Sequence, residues 1–351
     1  MRRLLPDGPT VVFLGDGATA LVHEQIERLG AHRAIVLSTS RRTDSAEAVL
    51  ALLGVRGTSV LGIAEEHVPL AIARQGREEA SRRHADALVA VGGGSTIGLA
   101  KAIALELALP IVALPTTFSG SEMTPVWGIT EDGLKRTGRD ERVRAACVLY
   151  DPALSLGLLA SVAVPSALNA MAHAVEALYA PEADAELLLN AEDAVRALAG
   201  GLPALSSSSL DVTGREQAFE GACLAGACLG RVSMGLHHKL CHVLGGTFGL
   251  PHALTHAVLL PHVARFNLEA APDARDRLER ALGAPDAVAA LFALGAAHGI
   301  PRSLAALGLP ENALDHAAEL ATASPYPNPR RATTADVREI LERAYRGVDS
   351  S

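Results

Sequence analysis

Residues 87 to 101 read Ala87-Leu88-Val89-Ala90-Val91-Gly92-Gly93-Gly94-Ser95-Thr96-Ile97-Gly98-Leu99-Ala100-Lys101. An unbroken apolar run leads into three successive glycines and two hydroxyl residues, after which the spacing becomes helical. A strand covered by helices on both faces has that pattern, because neither face meets water. Three glycines let main-chain N–H groups crowd against an anion, Ser95 and Thr96 add hydroxyl donors, and the helix that follows turns its positive end to the same point. The stretch predicts a strand, a phosphate-binding turn and a helix.

The pattern repeats on either side. Thr10-Val11-Val12-Phe13-Leu14, Ala34-Ile35-Val36-Leu37 and Ile111-Val112-Ala113-Leu114 are further short apolar runs separated by amphipathic stretches, so a doubly wound parallel sheet over residues 1–156 is the natural assembly. After Tyr150-Asp151-Pro152 strand signals fade and helical spacing takes over, giving an all-α domain over residues 157–351. Within it, Gly200-Gly201-Leu202-Pro203 and the run from Ser206 to Ser209 read as a helix end and a loop.

Composition narrows the function. The 351 residues are 49% hydrophobic and 20% charged, enough for two packed domains. A net charge of −8 offers no field to nucleic acid or anionic lipid, and six Phe, four Tyr and one Trp leave little for base stacking. The longest apolar stretch, near Ala102 to Leu114, carries Glu106 and Pro110 and is too short to span a bilayer, while Met1-Arg2-Arg3 precedes no apolar leader. A cytoplasmic protein is expected, with Cys147, Cys223, Cys228 and Cys241 as reduced, buried thiols.

A second glycine turn, Gly15-Asp16-Gly17-Ala18-Thr19-Ala20, fits G-x-G-x-x-A, but the acidic partner about 20 residues on is missing. The next strand ends Leu37-Ser38-Thr39-Ser40, so the first turn reads as a tight connection. Hydroxyls after the strand at 111–114, in Pro115-Thr116-Thr117-Phe118-Ser119-Gly120-Ser121-Glu122, lie at the same sheet edge as Gly92 to Thr96.

Six of the 13 histidines fall between residues 237 and 262: His237, His238, His242, His252, His256 and His262. His238 and His242 are i, i+4 on a helix, as are Asn169 and His173, so two packed helices converge their imidazoles. Such a cluster binds a metal or moves a proton. His242 is the expected proton donor, His256 and His262 are expected at the periphery, and Cys241 points away from His242.

These motifs, together with His67-Val68-Pro69, Lys135-Arg136-Thr137-Gly138-Arg139-Asp140, Asn169 through Glu176, His237-His238-Lys239-Leu240-Cys241-His242 running on to Leu250-Pro251-His252, and Pro325-Tyr326-Pro327-Asn328-Pro329-Arg330, resemble in order the iron-containing alcohol dehydrogenase superfamily, and more narrowly its maleylacetate reductases. The resemblance covers nearly the whole chain. It implies a nucleotide-binding α/β domain and a helical domain of the dehydroquinate synthase-like fold, a cleft between them, and a homodimer. It implies NADH or NADPH held by Gly92, Gly93, Gly94, Ser95, Thr96, Thr116, Thr117, Ser121 and Ser38. The implied reaction is reduction of the carbon–carbon double bond of maleylacetate, or a related 4-oxo-enoate, to 3-oxoadipate during degradation of aromatic compounds. His242, His173, His238, His252 and Tyr326 would carry the chemistry, with His237, Lys239, Arg330 and the 135–139 segment meeting the carboxylates of a small dicarboxylate substrate.

Metal-dependent members bind iron or zinc with an Asp and three histidines, at positions matching His173, His238 and His252. The Asp position is Asn169 here, and a neutral amide removes one negative charge from the ligand set. Two alternatives follow: a divalent ion held weakly, or histidines acting on substrate directly. The competing readings are a metal-dependent alcohol or polyol dehydrogenase acting on an aldehyde or ketone, a dehydroquinate-synthase-like lyase, and a non-catalytic ligand sensor.

Overall fold

A computed structural model describes residues 1–5, 8–132, 134–207 and 210–348. It divides into two compact units, Met1–Leu158 with Leu210–Phe219, and Leu159–Ser209 with Glu220–Ser351.

In the first unit the apolar runs form β2 (Val11–Leu14), β3 (Ala34–Leu37), β5 (Ala87–Gly92) and β6 (Ile111–Pro115). They join β1 (Arg2–Leu4), β4 (Gly57–Leu61) and β9 (Cys147–Tyr150) in one sheet of order β1-β2-β9-β6-β5-β3-β4. All neighbours pair parallel except β1, which lies antiparallel on β2. Every residue of β3 and β5 is buried, as continuous apolar strands require. The half-buried edge strand β4, Gly-Thr-Ser-Val-Leu, carries a much weaker signal.

The direction in which strands are added reverses between β3 and β5: β4 extends the sheet one way, and β6 and β9 extend it the other. Ligands on open α/β sheets bind outside the carboxyl ends of strands at such a switch point. The strands ending there lead into Ser38 and into Gly92-Gly93-Gly94. A separate antiparallel hairpin, β7 (Val126–Glu131) and β8 (Leu134–Arg139), carries the 135–139 cations.

Helices α1 (Val22–Arg28), α2 (Thr43–Leu53) and α3 (Leu70–Arg82) precede α4 (Gly94–Leu107), whose Lys101 turns away from the glycines. Its buried ammonium donates to the carbonyls of Ser121 (2.7 Å), Thr124 (2.8 Å) and Val126 (2.8 Å) and to Thr124 Oγ1 (2.9 Å), fixing the segment that follows β6.

The second unit is helical: α5 (Ala160–Ala177), α6 (Ala185–Ser206), α8 (Leu236–Phe248), α9 (His252–Leu268), α10 (Pro272–Leu282), α11 (Ala287–Ala297), α12 (Leu314–Thr322) and α13 (Thr334–Arg346), with the latter part of α7 (Val212–Leu229). Two expectations are corrected. Gly200-Gly201-Leu202-Pro203 does not end a helix; α6 runs through it, because fully buried Leu198, Leu202 and Leu205 outweigh the local cost of Gly and Pro. Ser208 and Ser209 of the expected loop lie outside the described residues. Residues 210–219, expected in the helical domain, belong to the first unit: Phe219 packs on Phe118 (ring centroids 4.5 Å apart) and Tyr150 (5.3 Å), and Arg215 donates to the Ser155 carbonyl at 2.7 Å. Among the described residues no single helix is long and apolar enough to cross a membrane.

Lys101→Met strands three carbonyls and a hydroxyl that shared one ammonium. Urea unfolding should show a loss of about 3 kcal/mol; a loss below about 0.5 kcal/mol would contradict the anchoring role.

Candidate functional site: a glycine cradle and a layered histidine cluster

The phosphate turn of the first unit is built by close approach. A Cβ on Gly92 would lie 2.2 Å from Thr96 Oγ1, and one on Gly93 would lie 2.7 Å from Thr117 Oγ1, whereas one on Gly94 would meet nothing within 4 Å. Gly94 is exposed, α4 starts there, and the preceding Gly93 provides no side-chain cap, so the first N–H groups of the helix stay available to an anion. Thr96 Oγ1 is buried without a hydrogen-bond partner among the described residues. Thr116 N donates to Gly92 O at 3.2 Å, which sets Thr116 and Thr117 beside the turn. Ser121 Oγ lies 3.1 Å from Ser119 Oγ in the following segment.

Two other candidates differ. Ser38 is fully buried, with its hydroxyl 3.2 Å from both Val91 O and Arg42 O, so it joins adjacent strands instead of facing a ligand. The 15–20 turn already has its carboxylate: Asp151 Oδ2 accepts from Thr19 N at 3.0 Å, where a phosphate would otherwise sit. A Cβ on Gly15, whose φ is +142°, would fall 2.7 Å from Met1 Cα. That turn is structural.

In the second unit the organising group is Glu176. With Asn169 and His173 it lies on one face of α5, at i, i+4 and i+7. Glu176 Oε1 accepts from His237 N (2.8 Å), and Oε2 accepts from Gly235 N (3.0 Å) and lies 2.6 Å from His238 Nδ1. These are the first N–H groups of α8, whose own N-cap, Gly235, has no side chain to offer. A buried carboxylate at a helix N-terminus also meets the positive end of the helix dipole. Asn328 Oδ1 accepts from Leu236 N at 3.3 Å, and Asn328 and Asn267 exchange amide hydrogen bonds at 2.7 and 3.0 Å. A Cβ at residue 235 would strike Pro327 O at 2.9 Å, which explains the glycine.

Burial alone would raise the Glu176 pKa, but its hydrogen bond to His238, the attraction of that imidazole, and the His237 amide hold it below the usual carboxylate range. An ionised carboxylate only accepts, so the His238 Nδ1 carries the proton and Nε2 is the atom left for chemistry.

The imidazoles are layered. His242 and His252 are exposed, with stacked rings 6.4 Å apart. Beneath them His173 and His238 are nearly buried and stack at 5.0 Å. At the floor His237 and His256 meet, Nε2 to Nδ1, at 3.0 Å. Burial, joined by charge from neighbouring histidines, pushes His173 and His256 well below the ordinary imidazole range, and burial takes His237 down to about 3 even against Glu176. All three are neutral at physiological pH.

His256 therefore does not lie at the periphery. Its ring stands 4.5 Å from His252, 4.8 Å from His238 and 6.3 Å from His173. His262 does lie apart, against Phe292 at 4.9 Å. His237, expected to meet substrate, is 1% exposed and uncharged, so it cannot serve as a carboxylate-binding cation. Lys239 donates to Ser324 Oγ at 3.0 Å; Arg330 pairs with Glu269 at 3.0 Å and covers the Phe266 ring at 3.6 Å. Tyr326 is half-buried against the core around α8, α9, α12 and α13.

Asn169 Oδ1, His173 Nδ1 and His238 Nε2 are all buried without hydrogen-bond partners among the described residues. Buried polar atoms are normally satisfied, so this set marks a place for a ligand. Imidazole nitrogen and amide oxygen suit a divalent ion in kind, with the negative charge supplied through His238 by Glu176.

A Gly-rich sheet turn in one unit and a histidine cluster in the other define a nucleotide-dependent oxidoreductase. Residues 9–152 match the family described as iron-containing alcohol dehydrogenase, and residues 163–345 match the family described as Fe-containing alcohol dehydrogenase family, C-terminal. The chain is 50% identical over 345 residues to maleylacetate reductase of Burkholderia cepacia, covering 98% of this chain and 97% of that one. It is 51% identical over 342 residues to maleylacetate reductase 2 of Cupriavidus pinatubonensis, covering 97% and 95%. The crystal structure of maleylacetate reductase from Agrobacterium tumefaciens superposes with a TM-score of 0.95 at 43% identity, covering 100% of both chains. The chain belongs to the iron-containing alcohol dehydrogenase family, in its maleylacetate reductase branch.

Gly92→Ala places a methyl group against Thr96 and should weaken NADH binding at least about tenfold in a fluorescence titration, a loss of about 1.4 kcal/mol. Unchanged affinity would remove the 92–96 turn from the cofactor site.

Proposed function

We propose that the protein reduces the carbon–carbon double bond of maleylacetate to give 3-oxoadipate, using NADH or NADPH. The near-full-length identity of about one residue in two with maleylacetate reductases carries the reading, and the cluster around Glu176 supplies a chemistry for it.

The substrate is an enone with a carboxylate at each end. Bound dihydronicotinamide supplies a hydride to the alkene carbon β to the ketone, which leaves an enolate needing charge stabilisation at oxygen and a proton at carbon. His242, exposed at the top of the cluster, delivers that proton. His238, oriented by Glu176, offers Nε2 to the ketone oxygen, to which an Nε2–H would donate; a bare Nε2 would instead be a ligand to a metal. Asn169, His173, His238 and His252 would hold a divalent ion, which would act as a Lewis acid toward that oxygen. Tyr326 and the cations Lys239 and Arg330 remain candidates for the enolate and the substrate carboxylates, provided the two cations release Ser324 and Glu269.

Both nucleotides are expected to serve. The strand β3 ends without the carboxylate that would repel a 2′-phosphate, and Arg41 beyond it is exposed. The enzyme is expected to act as a cytoplasmic homodimer.

The decisive assay is nucleotide oxidation with freshly generated maleylacetate beside a panel of small aldehydes, with and without chelator. Rapid turnover of maleylacetate is expected. Chelator-sensitive turnover of simple aldehydes or alcohols, without maleylacetate activity, would establish an alcohol dehydrogenase instead. His242→Ala should lower kcat by about 100-fold or more with NADH affinity unchanged; near-normal kcat would exclude it as proton donor. Arg41→Ala should raise KM for NADPH several-fold and leave KM for NADH unchanged; equal effects would dismiss the 2′-phosphate contact. Asn169→Asp restores a carboxylate and should raise zinc or iron content in purified protein by elemental analysis, and unchanged content would dismiss the ligand set.

A further inference from the structure

The floor of the histidine cluster holds a donor group that the reduction does not use. His237 Nε2 lies 3.0 Å from His256 Nδ1 and 3.7 Å from Cys241 Sγ, and the three atoms all fall within 4.8 Å of one another. His237 and Cys241 are i, i+4 on α8, and His256 comes from the first turns of α9, so two packed helices fix the group. The three residues are 1%, 0% and 0% exposed.

The 3.0 and 3.7 Å contacts lie close to the separations of donors around a single ion. With metal–nitrogen bonds of about 2.0 Å and a metal–sulfur bond of about 2.3 Å, tetrahedral donors stand roughly 3.3 to 3.8 Å apart. A hydrogen bond between the two rings accounts for the 3.0 Å contact, and the Cys241 thiol, one turn along α8, adds a third donor at the same nitrogen. The outer ring atoms, His237 Nδ1 and His256 Nε2, have no partner among the described residues, so the proton shared by the inner nitrogens can move to an outer one without breaking another contact. Either ring can present its inner lone pair.

We propose that His237 Nε2, Cys241 Sγ and His256 Nδ1 form a second cation site, selective for one soft, thiophilic ion of the zinc and cadmium class and distinct from the donors Asn169, His173, His238 and His252. On binding, the Cys241 S–H bond breaks, a sulfur–metal bond forms, and the proton leaves to solvent with no change of oxidation state. Entry is by way of the exposed His252, whose ring is 4.5 Å from that of His256. One thiolate and two imidazoles select against magnesium and calcium, which take oxygen. An ion here would also press on His238, whose ring lies 5.6 Å from His237 and 4.8 Å from His256, so occupancy should inhibit the reductase.

Cadmium titration of the purified protein tests this through sulfur-to-cadmium charge-transfer absorption. One equivalent per chain should develop the band, Asn169→Ala should retain it, Cys241→Ser should lose it, and magnesium should produce none. Cys147, Cys223 and Cys228 are also buried thiols, so persistence of the band in Cys241→Ser would overturn the assignment. Should Cys241→Ser fail to fold by circular dichroism, X-ray absorption on wild-type protein with two equivalents of zinc decides. A sulfur shell at about 2.3 Å beside nitrogen at about 2.0 Å supports the site, and nitrogen and oxygen alone contradict it.

Discussion

The Glu176 carboxylate is the constraint on which the second unit's chemistry depends. One buried anion takes two main-chain N–H groups at the start of α8 and the Nδ1 proton of His238, so it caps a helix and selects a tautomer together. Left unpaired, such a charge would be costly at that depth. Paired, it converts the position of α5 into the orientation of an imidazole on α8. The amide pair of Asn267 and Asn328 braces the same helix end from the other side, and Gly235 allows both groups to approach.

The first unit solves its own electrostatic problem in the opposite sense. At the 15–20 turn the protein provides the anion itself, from Asp151, and that turn is closed. At the 92–96 turn no side chain caps the helix and the Gly94 backbone is open, which leaves the positive end for a phosphate. Two turns with similar glycine spacing therefore differ in function because of a carboxylate more than a hundred residues away.

Much of this was legible in the chain. The β5 run and its three glycines foretell the buried strand, the turn and the helix, because their apolar continuity and missing side chains have local consequences. The convergence of His173 with His238 follows from i, i+4 spacing on helices. His256, four residues after His252, shares its face of α9, so the same spacing that suggests the periphery is what carries it into the cluster. Glu176 stands seven residues after Asn169, on the face that matters, yet nothing local reveals that its carboxylate reaches another helix. The persistence of α6 through Gly200-Gly201-Leu202-Pro203 and the placement of residues 210–219 depend on long-range packing of Leu198, Leu202 and Phe219, which local propensity does not encode. Ser38 likewise carries a hydroxyl at a strand end, and only the neighbouring strand shows that the hydroxyl is occupied.

The bond that is reduced separates a maleylacetate reductase from a carbonyl-reducing dehydrogenase. Turnover of maleylacetate with nicotinamide nucleotide deuterated at the transferred position, followed by NMR of the product, reads this directly. Deuterium on the carbon β to an intact ketone is the predicted result; deuterium on a newly formed carbinol carbon would show carbonyl reduction and contradict it.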